Sequence, residues 1–318
     1  MDPSRYRALA VSRGYVYNVY YSPASGGKPT LLFMHGFPSS TYDWRRQIPH
    51  FAAAGFGIVA PDMLGAGGSS KPMDSKAFRL GALAKDTIDI LDALGLGKVI
   101  GISTDWGGVF LSRLSMLYQE RFHGLAWLGI GFRPADVRPL DLERDCDMYA
   151  YWDFFLRPKA ADTIRKNIDS FMQLAYPKDP DSWVTWMLTP GKTAECLESN
   201  IQLGRSEWLS EEEYARLRQD LLKSGVASAL LWYANEVEGN DREENFQIPT
   251  DAYTIRVPAL FVGASKDPLL REAAGLAQMR KYATALRTAS VDAGHYLHLE
   301  RADEVNGVLE EWIGTIKL

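Results

Sequence analysis

The sequence predicts an α/β fold with a mostly parallel central sheet that helices cover on both faces. Short, continuously apolar segments alternate with helical segments in the first 130 residues, and this alternation is typical of parallel sheets. The alternation returns after residue 250. Between the two stretches, the chain predicts helices and loops and contains five of the nine tryptophans. We therefore expect one sheet, with a helical insertion in the chain between two of its strands.

The first part of the chain supplies most of the predicted elements. The predicted strands are 15–21, 30–34, 57–60, 98–103 and 125–130. The predicted helices are 42–54, 80–94 and 107–121. In the second of these helices, Leu80, Leu83, Ile88 and Leu91 recur at helical spacing, and Gly95 ends the segment.

The insertion and the last part of the chain complete the predicted architecture. Ser210 with Glu213 three positions later has the pattern of a capping box, so a helix begins there. After the insertion we predict strands at 257–263 and 286–292 and helices at 271–282 and 302–316. The predicted units are a first core part at 1–133, a helical cap at 134–250 and a second core part at 251–318. We expect the cap to cover the carboxyl ends of the strands, where open α/β sheets bind ligands.

Composition excludes several classes of protein. Hydrophobic residues make up 46% of the 318 residues, so the chain can form a core, and disorder is excluded as its main state. Lysine and arginine number 35 against 40 aspartates and glutamates, a net charge of −5 that argues against a nucleic-acid partner. Two cysteines are too few for a disulfide framework or a multi-cysteine zinc site, and we expect no metal and no organic cofactor.

Targeting signals are weak. No apolar run approaches the ~20 residues of a membrane span. The segment Met1–Arg5 lacks the apolar stretch of a signal peptide, so we expect a cytoplasmic protein. The C-terminal segment Ile316–Leu318 only weakly suggests a peroxisomal address.

The most informative segment is the strand that runs into Ser103-Thr104-Asp105-Trp106-Gly107-Gly108. A strand that enters a helix through small residues has the form of a nucleophile elbow, in which the residues two before and two after the nucleophile are small. If Ser103 were the nucleophile, Asp105 would lie two residues after it, at a position that requires a small residue. If Asp105 is the nucleophile, the residues two before and two after it are Ser103 and Gly107, which are small. We therefore predict a carboxylate nucleophile. The simpler alternative is that Asp105 only caps the helix.

Three further segments support the elbow. The loop His35-Gly36-Phe37-Pro38 follows a strand and can supply the backbone N–H of Phe37 to an oxyanion hole, with that of Trp106 as the second donor. An ordinary Gly-Pro turn is the alternative for this loop.

The remaining two segments supply an acid and a base. Asp267 ends a late strand, where a triad acid belongs, although it could also be a cap before Pro268. His295 follows a strand and a glycine, with His298 as a less favoured competitor. The chain order of nucleophile, acid and histidine is that of the α/β-hydrolase fold.

Together these motifs resemble the epoxide hydrolases of the α/β-hydrolase fold superfamily. The matching segments are His35–Pro38, Pro61–Gly65 with Ser70–Pro72, Asp105–Gly108 and Gly294-His295, in order over nearly the whole chain. The resemblance implies an α/β-hydrolase core, an inserted cap and two cap tyrosines that hydrogen-bond the epoxide oxygen. The segment Tyr151 to Pro158 matches the first tyrosine motif and Leu231 to Ala234 the second.

The resemblance therefore implies Tyr151 and Tyr233 as the proton donors, with Tyr149 an open alternative to Tyr151. We also expect His35, Trp152 and Trp232 to contact the substrate.

Some positions depart from the family pattern. Thr104 precedes the nucleophile where these enzymes usually carry histidine, and Leu231 and Ala234 replace an asparagine and an arginine around the second tyrosine. These changes affect the expected substrate range and the groups that position water. Trp106 is also typical of haloalkane dehalogenases, in which it binds the halide.

The resemblance implies that Asp105 opens a small, apolar epoxide to an ester and that a water activated by His295 hydrolyses the ester to a vicinal diol. The alternatives are a haloalkane dehalogenase, an epoxide-opening biosynthetic cyclase and a non-catalytic receptor on the same scaffold. The physiological substrate, the attacked carbon, the stereochemistry and the oligomeric state stay open.

Overall fold

A computed structural model describes residues 1–137, 140–142 and 146–318. At residues 146 and 147 it describes the backbone alone. Eight strands form one sheet. They are β1 (Tyr6–Ala10), β2 (Val16–Ser22), β3 (Thr30–Met34), β4 (Gly57–Pro61), β5 (Val99–Thr104), β6 (Phe122–Leu128), β7 (Ala259–Ala264) and β8 (Leu286–Val291).

Fifteen α-helices occur among the described residues. Those of the core are α1 (Gln47–Ala53), α2 (Leu80–Ala93), α3 (Trp106–Leu117), α13 (Glu272–Tyr282), α14 (Leu297–Glu300) and α15 (Ala302–Ile313). Those between β6 and β7 are α4 (Cys146–Tyr149), α5 (Trp152–Phe155), α6 (Ala160–Lys166), α7 (Ile168–Ala175), α8 (Ser182–Trp186), α9 (Lys192–Glu198), α10 (Glu211–Ser224), α11 (Leu231–Val237) and α12 (Arg242–Gln247).

The sheet has the order β1-β2-β4-β3-β5-β6-β7-β8, and β3 to β8 run parallel while β2 is antiparallel to both of its neighbours. The predicted α/β fold with a mostly parallel sheet is therefore confirmed. In the sheet, β4 lies on one side of β3, and β5, the next strand in the chain, lies on the other side of β3. A topological switch point consequently lies between β3 and β5, where ligands bind in open α/β sheets.

The sheet is buried on both faces because its central strands are apolar at nearly every position. In β3, Leu32 and Met34 belong to one core and Leu31 and Phe33 to the other, which follows the two-residue period of a strand. Helices α2, α3 and α13 contribute to the first core, and α1 and α15 to the second.

Several elements differ from the sequence prediction. Helix α14 was not predicted, and β6 covers Phe122–Leu128 rather than 125–130. Strand β1 was not predicted, because it is an edge strand with no fully buried residue and therefore lacks an apolar run. The helix predicted at 42–54 is a 3₁₀ turn at Thr41–Trp44 followed by α1. Pro49 lies in the first turn of α1, where proline is tolerated. Because proline disfavours a helix that runs through its position, the single helix predicted from residue 42 does not form.

The described part of the segment between β6 and β7 consists of helices and loops and contains no strand, as the sequence predicts. The capping box is present, because the Ser210 hydroxyl accepts from the Glu213 backbone and the Glu213 carboxylate accepts from the Ser210 backbone. The unit boundaries at 133 and 250 stay predictions. In the described ranges, no helix has the length and apolarity that crossing a membrane requires.

Candidate active site

The candidate site lies at the carboxyl ends of β3 and β5, at the switch point. These strands pair in parallel up to Met34 opposite Ser103, so the loops that follow them begin side by side. The loop after β3 carries Phe37, and the turn after β5 carries Asp105. The register of two strands thus brings together residues that lie 68 positions apart in the sequence.

Asp105 occupies a sharp turn between β5 and α3. Its backbone has φ 48° and ψ −130°, a conformation that costs free energy for a residue with a side chain. Gly107 permits the turn, because a Cβ there would lie 2.0 Å from the carbonyl oxygen of Met34. The Asp105 side chain makes no capping hydrogen bond to α3, which disfavours the helix-cap interpretation.

The Asp105 carboxylate is held by the two backbone donors that the sequence predicted. The N–H of Phe37 donates to Oδ1 over 2.7 Å, and the N–H of Trp106 also donates to the carboxylate. Gly36 allows this close approach, since a Cβ there would lie 2.1 Å from Oδ1. Burial raises the pKa of Asp105, and the positive field of His295 with the two backbone donors opposes that rise.

His295 and Asp267 form a buried pair beside Asp105. Nδ1 of His295 lies 2.7 Å from Oδ2 of Asp267, whose Oδ1 accepts from the N–H groups of Leu269 and Leu270 at 2.8 and 3.0 Å. Burial opposes ionisation of Asp267, but His295 and these donors outweigh it and hold the pKa of Asp267 below its usual value. Asp267 therefore contacts His295 through Oδ2 and caps the turn that follows Pro268 through Oδ1.

The electrostatics of His295 are set by its acidic neighbours. Burial lowers the pKa of the imidazole, but Asp267, Asp105 and Glu300 together raise it to about 9. Nε2 of His295 lies 3.7 Å from Oδ2 of Asp105. His298, the competing histidine, lies elsewhere, with its Nε2 3.3 Å from Oδ2 of Asp43.

A cavity of about 690 Å³ opens above Asp105 and Trp106, and Tyr149, Tyr151 and Trp152 are among its lining residues. A smaller void of about 30 Å³ adjoins Asp105 and is lined by Tyr151, Tyr233 and His295. It has room for a water molecule among polar partners.

The two predicted tyrosines come together beside Asp105, Tyr151 from the residue before α5 and Tyr233 from α11, near the two ends of the insertion. The rings of Tyr151 and Tyr233 lie 6.1 Å apart between centroids. Burial, followed by neighbouring negative charge that includes Asp105, raises the pKa of both phenols, so both stay protonated. Tyr149 packs against the other side of Trp152, at 4.7 Å between centroids, and does not line the void that Tyr151 and Tyr233 share. The geometry favours Tyr151 over Tyr149.

Comparison with known proteins agrees with this arrangement. Residues 29–302 match the family described as the alpha/beta hydrolase fold. Epoxide hydrolase A of Mycobacterium tuberculosis (strain ATCC 25618 / H37Rv) is 30% identical over 307 residues, which cover 92% of this chain and 92% of that protein. The chain belongs to the epoxide hydrolases of the α/β-hydrolase fold.

Other epoxide hydrolases show how far the similarity extends. Bifunctional epoxide hydrolase 2 of Mus musculus is 31% identical over 295 residues, covering 91% of this chain. The chain spans about half of that relative, 52% of its length. The crystal structure of epoxide hydrolase A from Mycobacterium thermoresistibile has a TM-score of 0.82 at 26% identity, over 98% of this chain and 99% of that one.

Two residues that we predicted to contact the substrate do not line the cavity. His35 is fully buried, its Nδ1 bonds the carbonyl of Gly36 at 2.8 Å, and its Nε2 accepts from the N–H of Met63 at 2.9 Å. Both ring nitrogens therefore brace the loop that presents Phe37. Trp232 lies behind Trp106 and donates from Nε1 to the carbonyl of Leu64 at 2.9 Å. Of the three, Trp152 lines the cavity.

Sequence reasoning missed two residues that support His295. Trp183 packs on the imidazole at 5.0 Å between centroids, and no local pattern connects the two residues. Glu300 accepts from the backbone N–H groups of Gly294 and Tyr296 at 2.8 and 3.2 Å, which holds the loop of His295. An acidic residue shortly after the histidine motif was the available signal for Glu300. In the described ranges, no cluster of three or more acidic, histidine or cysteine side chains is placed to hold a metal ion.

Proposed function

We propose that this protein hydrolyses epoxides to vicinal diols through an ester on Asp105. One observation carries the proposal: a carboxylate held by two backbone donors faces two buried, protonated phenols. A carboxylate attacks carbon, and the phenols supply the proton that an epoxide oxygen needs when it leaves. The names of the relatives support the same substrate class.

In the first step, Oδ2 of Asp105 attacks an epoxide carbon and the C–O bond of the ring breaks. Oδ1 accepts from the N–H of Phe37, and Oδ2 lies toward His295, so we take Oδ2 as the oxygen that reacts. The leaving oxygen becomes an alkoxide, which Tyr151 and Tyr233 stabilise by hydrogen bonds and protonate.

In the second step, His295 removes a proton from a water that attacks the ester carbonyl carbon. The oxyanion forms on the N–H groups of Phe37 and Trp106, each worth about 3 kcal/mol by analogy with measured oxyanion holes. Asp267 orients the imidazole and stabilises its cation. Breakdown of the tetrahedral intermediate transfers the proton of His295 to the leaving oxygen of the diol. The proton that remains on the Asp105 carboxyl group returns to the phenolate, which restores the carboxylate and both phenols.

Esterification also prepares His295 for its role as a base. In the free protein the Asp105 carboxylate is one of the charges that raise the pKa of His295 to about 9. The ester has no charge, so the pKa of His295 falls once Asp105 has reacted. The imidazole therefore holds a proton less strongly at the step in which it must act as a base.

The deciding experiment traps the ester. His295→Gln removes the base, so an epoxide added to this variant stays on Asp105. The intact mass is recorded after exposure to a panel of epoxides and a panel of haloalkanes, with His50→Gln as a control because His50 lies on the surface helix α1. We expect an adduct with the full mass of an epoxide, absent in the His295→Gln variant that also carries Asp105→Ala.

Other masses contradict the proposal. An adduct equal to a haloalkane minus hydrogen halide, without any epoxide adduct, identifies a dehalogenase instead. No adduct from either panel contradicts alkylation of Asp105, and the cyclase and receptor alternatives then gain support.

A further inference from the structure

The small void beside Asp105, of about 30 Å³, offers few polar side chains to a water molecule. Those that line it are, among the described residues, Asp105, Tyr151, Trp183, Tyr233, His295 and Tyr296. The indole of Trp183 is already engaged, because its Nε1 donates to the carbonyl of Leu174 over 2.7 Å. The other five are therefore the side chains that can bind a water there.

The proposed reaction gives a role to four of these five side chains. Asp105 carries the ester, and His295 takes a proton from the attacking water. Tyr151 and Tyr233 hold the oxygen that has left the epoxide ring. A buried water needs two or more polar partners, and in the ester state only His295 is assigned to the attacking water. Tyr296 is the polar side chain of the void that is left to supply the second contact.

The ring of Tyr296 is held firmly next to the base. Tyr296 follows His295 directly in the chain, and its backbone N–H donates to Oε1 of Glu300 over 3.2 Å. The ring centroid lies 5.0 Å from that of His295, 4.8 Å from that of Tyr176 and 5.6 Å from that of Trp208. Because rings pack against it on several sides, the hydroxyl has a fixed position relative to the imidazole.

The hydroxyl of Tyr296 is within reach of a water, unlike that of its neighbour Tyr176. Neither hydroxyl has a hydrogen-bond partner of good geometry among the described residues. The hydroxyl of Tyr176 is sealed from water-sized space, and Tyr176 does not line the void. Tyr296 does line the void, and its hydroxyl is not among the sealed, unpartnered polar atoms of the described residues. A water in the void therefore contacts this hydroxyl without displacing another group.

The surroundings of Tyr296 keep its phenol neutral. Burial, followed by neighbouring groups that include Tyr176, Asp43 and Asp105, raises the pKa of Tyr296. A neutral phenol has an oxygen that accepts a hydrogen bond as well as a proton to donate. It can therefore accept one O–H of a water whose other O–H points to His295.

We propose that the hydroxyl of Tyr296 positions the water that hydrolyses the ester on Asp105. This inference rests on the proposed epoxide hydrolysis. The water donates one hydrogen bond to Nε2 of His295 and the other to the Tyr296 hydroxyl, so a lone pair of the water faces the ester carbonyl carbon. His295 takes the first proton as the new C–O bond forms, and the second proton stays on the new hydroxyl group. Tyr296 transfers no proton and acts only in the second step.

Tyr296→Phe tests this role, because it removes the hydroxyl and keeps the packed ring. We expect alkylation of Asp105 at the rate of the wild type and ester hydrolysis slowed by about tenfold, the effect of one lost hydrogen bond. Stopped-flow single turnover resolves the two steps, and intact mass shows the accumulated ester. Tyr21→Phe is the matched control and keeps both rates, since Tyr21 lies on β2, where the guanidinium of Arg7 covers its ring at 4.6 Å.

The two steps distinguish a role in positioning water from a role in packing. Ester hydrolysis at the rate of the wild type in Tyr296→Phe overturns the inference. Equal slowing of both steps shows that Tyr296 only shapes the site, which also overturns it. Failure of the proposed function is seen separately, because His295→Gln then forms no ester with any epoxide, whatever residue stands at position 296.

Crystal structures of the wild type and of Tyr296→Phe test the water without any turnover. In the wild type we expect an ordered water about 3 Å from both Nε2 of His295 and the Tyr296 hydroxyl. In Tyr296→Phe we expect this water to be absent or displaced while the imidazole keeps its place. A void without an ordered water in the wild type, or an unchanged water in the variant, contradicts the inference even if epoxides are hydrolysed.

Discussion

Nε2 of His295 lies 3.7 Å from Oδ2 of Asp105, which is too long for a direct hydrogen bond and short enough for strong charge coupling. The backbone N–H of Phe37 holds the other oxygen, Oδ1, over 2.7 Å. The 3.7 Å separation makes the protonation of His295 depend on whether Asp105 is ionised or esterified.

The coupling predicts the pH dependence of ester hydrolysis. Neutral His295 is the base, so the rate of ester breakdown rises with pH through the pKa of His295 in the ester form. That pKa lies below the value of about 9 in the free protein, because the ester lacks the charge of Asp105. Single-turnover measurements from about pH 6 to about pH 10 give the midpoint. A rate that falls as pH rises contradicts the role of His295 as the base.

Asp267→Asn should separate the two steps. The amide cannot stabilise the imidazolium, so we expect ester hydrolysis to slow by about 10²- to 10⁴-fold while alkylation of Asp105 continues. Accumulated ester is measured by intact mass. Asp292→Asn is the control, since Asp292 lies at the surface against Lys266. Equal slowing of both steps argues that Asp267 only supports the fold.

Asp105→Asn should remove almost all turnover, because an amide does not attack an epoxide. The Phe37 N–H still finds an acceptor in the amide oxygen, so we expect the fold and Tm to be retained. Slow recovery of activity, with the mass returning to that of the wild type, indicates that the introduced amide hydrolyses back to aspartate. Asp303→Asn, exposed on α15, controls for the change of charge. Full activity in Asp105→Asn from the start, with the mass of the variant unchanged, rules out Asp105 as the nucleophile.

Tyr151→Phe and Tyr233→Phe should each slow alkylation by about 10²-fold and leave ester hydrolysis nearly unchanged. The reason is that the phenols protonate the leaving oxygen and take no part in attack by water. Stopped-flow single turnover separates the steps. Tyr149→Phe is the matched control, because Tyr149 lies across Trp152 from the void that the other two line. A larger effect at Tyr149 than at Tyr151 reverses the assignment of the first donor.

Gly107→Ala should lower the free energy of unfolding by about 1–3 kcal/mol, because its Cβ would lie 2.0 Å from the carbonyl oxygen of Met34. Gly307→Ala is the contrasting variant, since Gly307 lies within α15 and a Cβ there meets nothing within 4 Å. It should raise the free energy of unfolding by about 0.5–1 kcal/mol. Urea denaturation measures both, and a tolerated alanine at position 107 contradicts the steric account of the turn.

Much of the site was predictable because its signals are local. The small residues around Asp105, the loop of Phe37 and the chain order of Asp105, Asp267 and His295 all follow from what a tight turn or a strand end requires. The aromatic residues of the insertion were harder to assign. No sequence feature distinguishes Trp152 from Trp232, yet Trp152 lines the cavity, whereas Trp232 donates to the carbonyl of Leu64.

The sequence by itself determined the alternating sheet and the elbow at Asp105, because periodicity and the sterics of neighbouring residues act within a short stretch of chain. The two tyrosine positions came from the resemblance to epoxide hydrolases. Only the tertiary structure decided the 3.7 Å separation of His295 from Asp105, the position of Tyr151 rather than Tyr149 on the void beside Asp105, and the bracing role of His35. These depend on how distant segments pack, and packing sets each distance by shape and burial that no local pattern encodes.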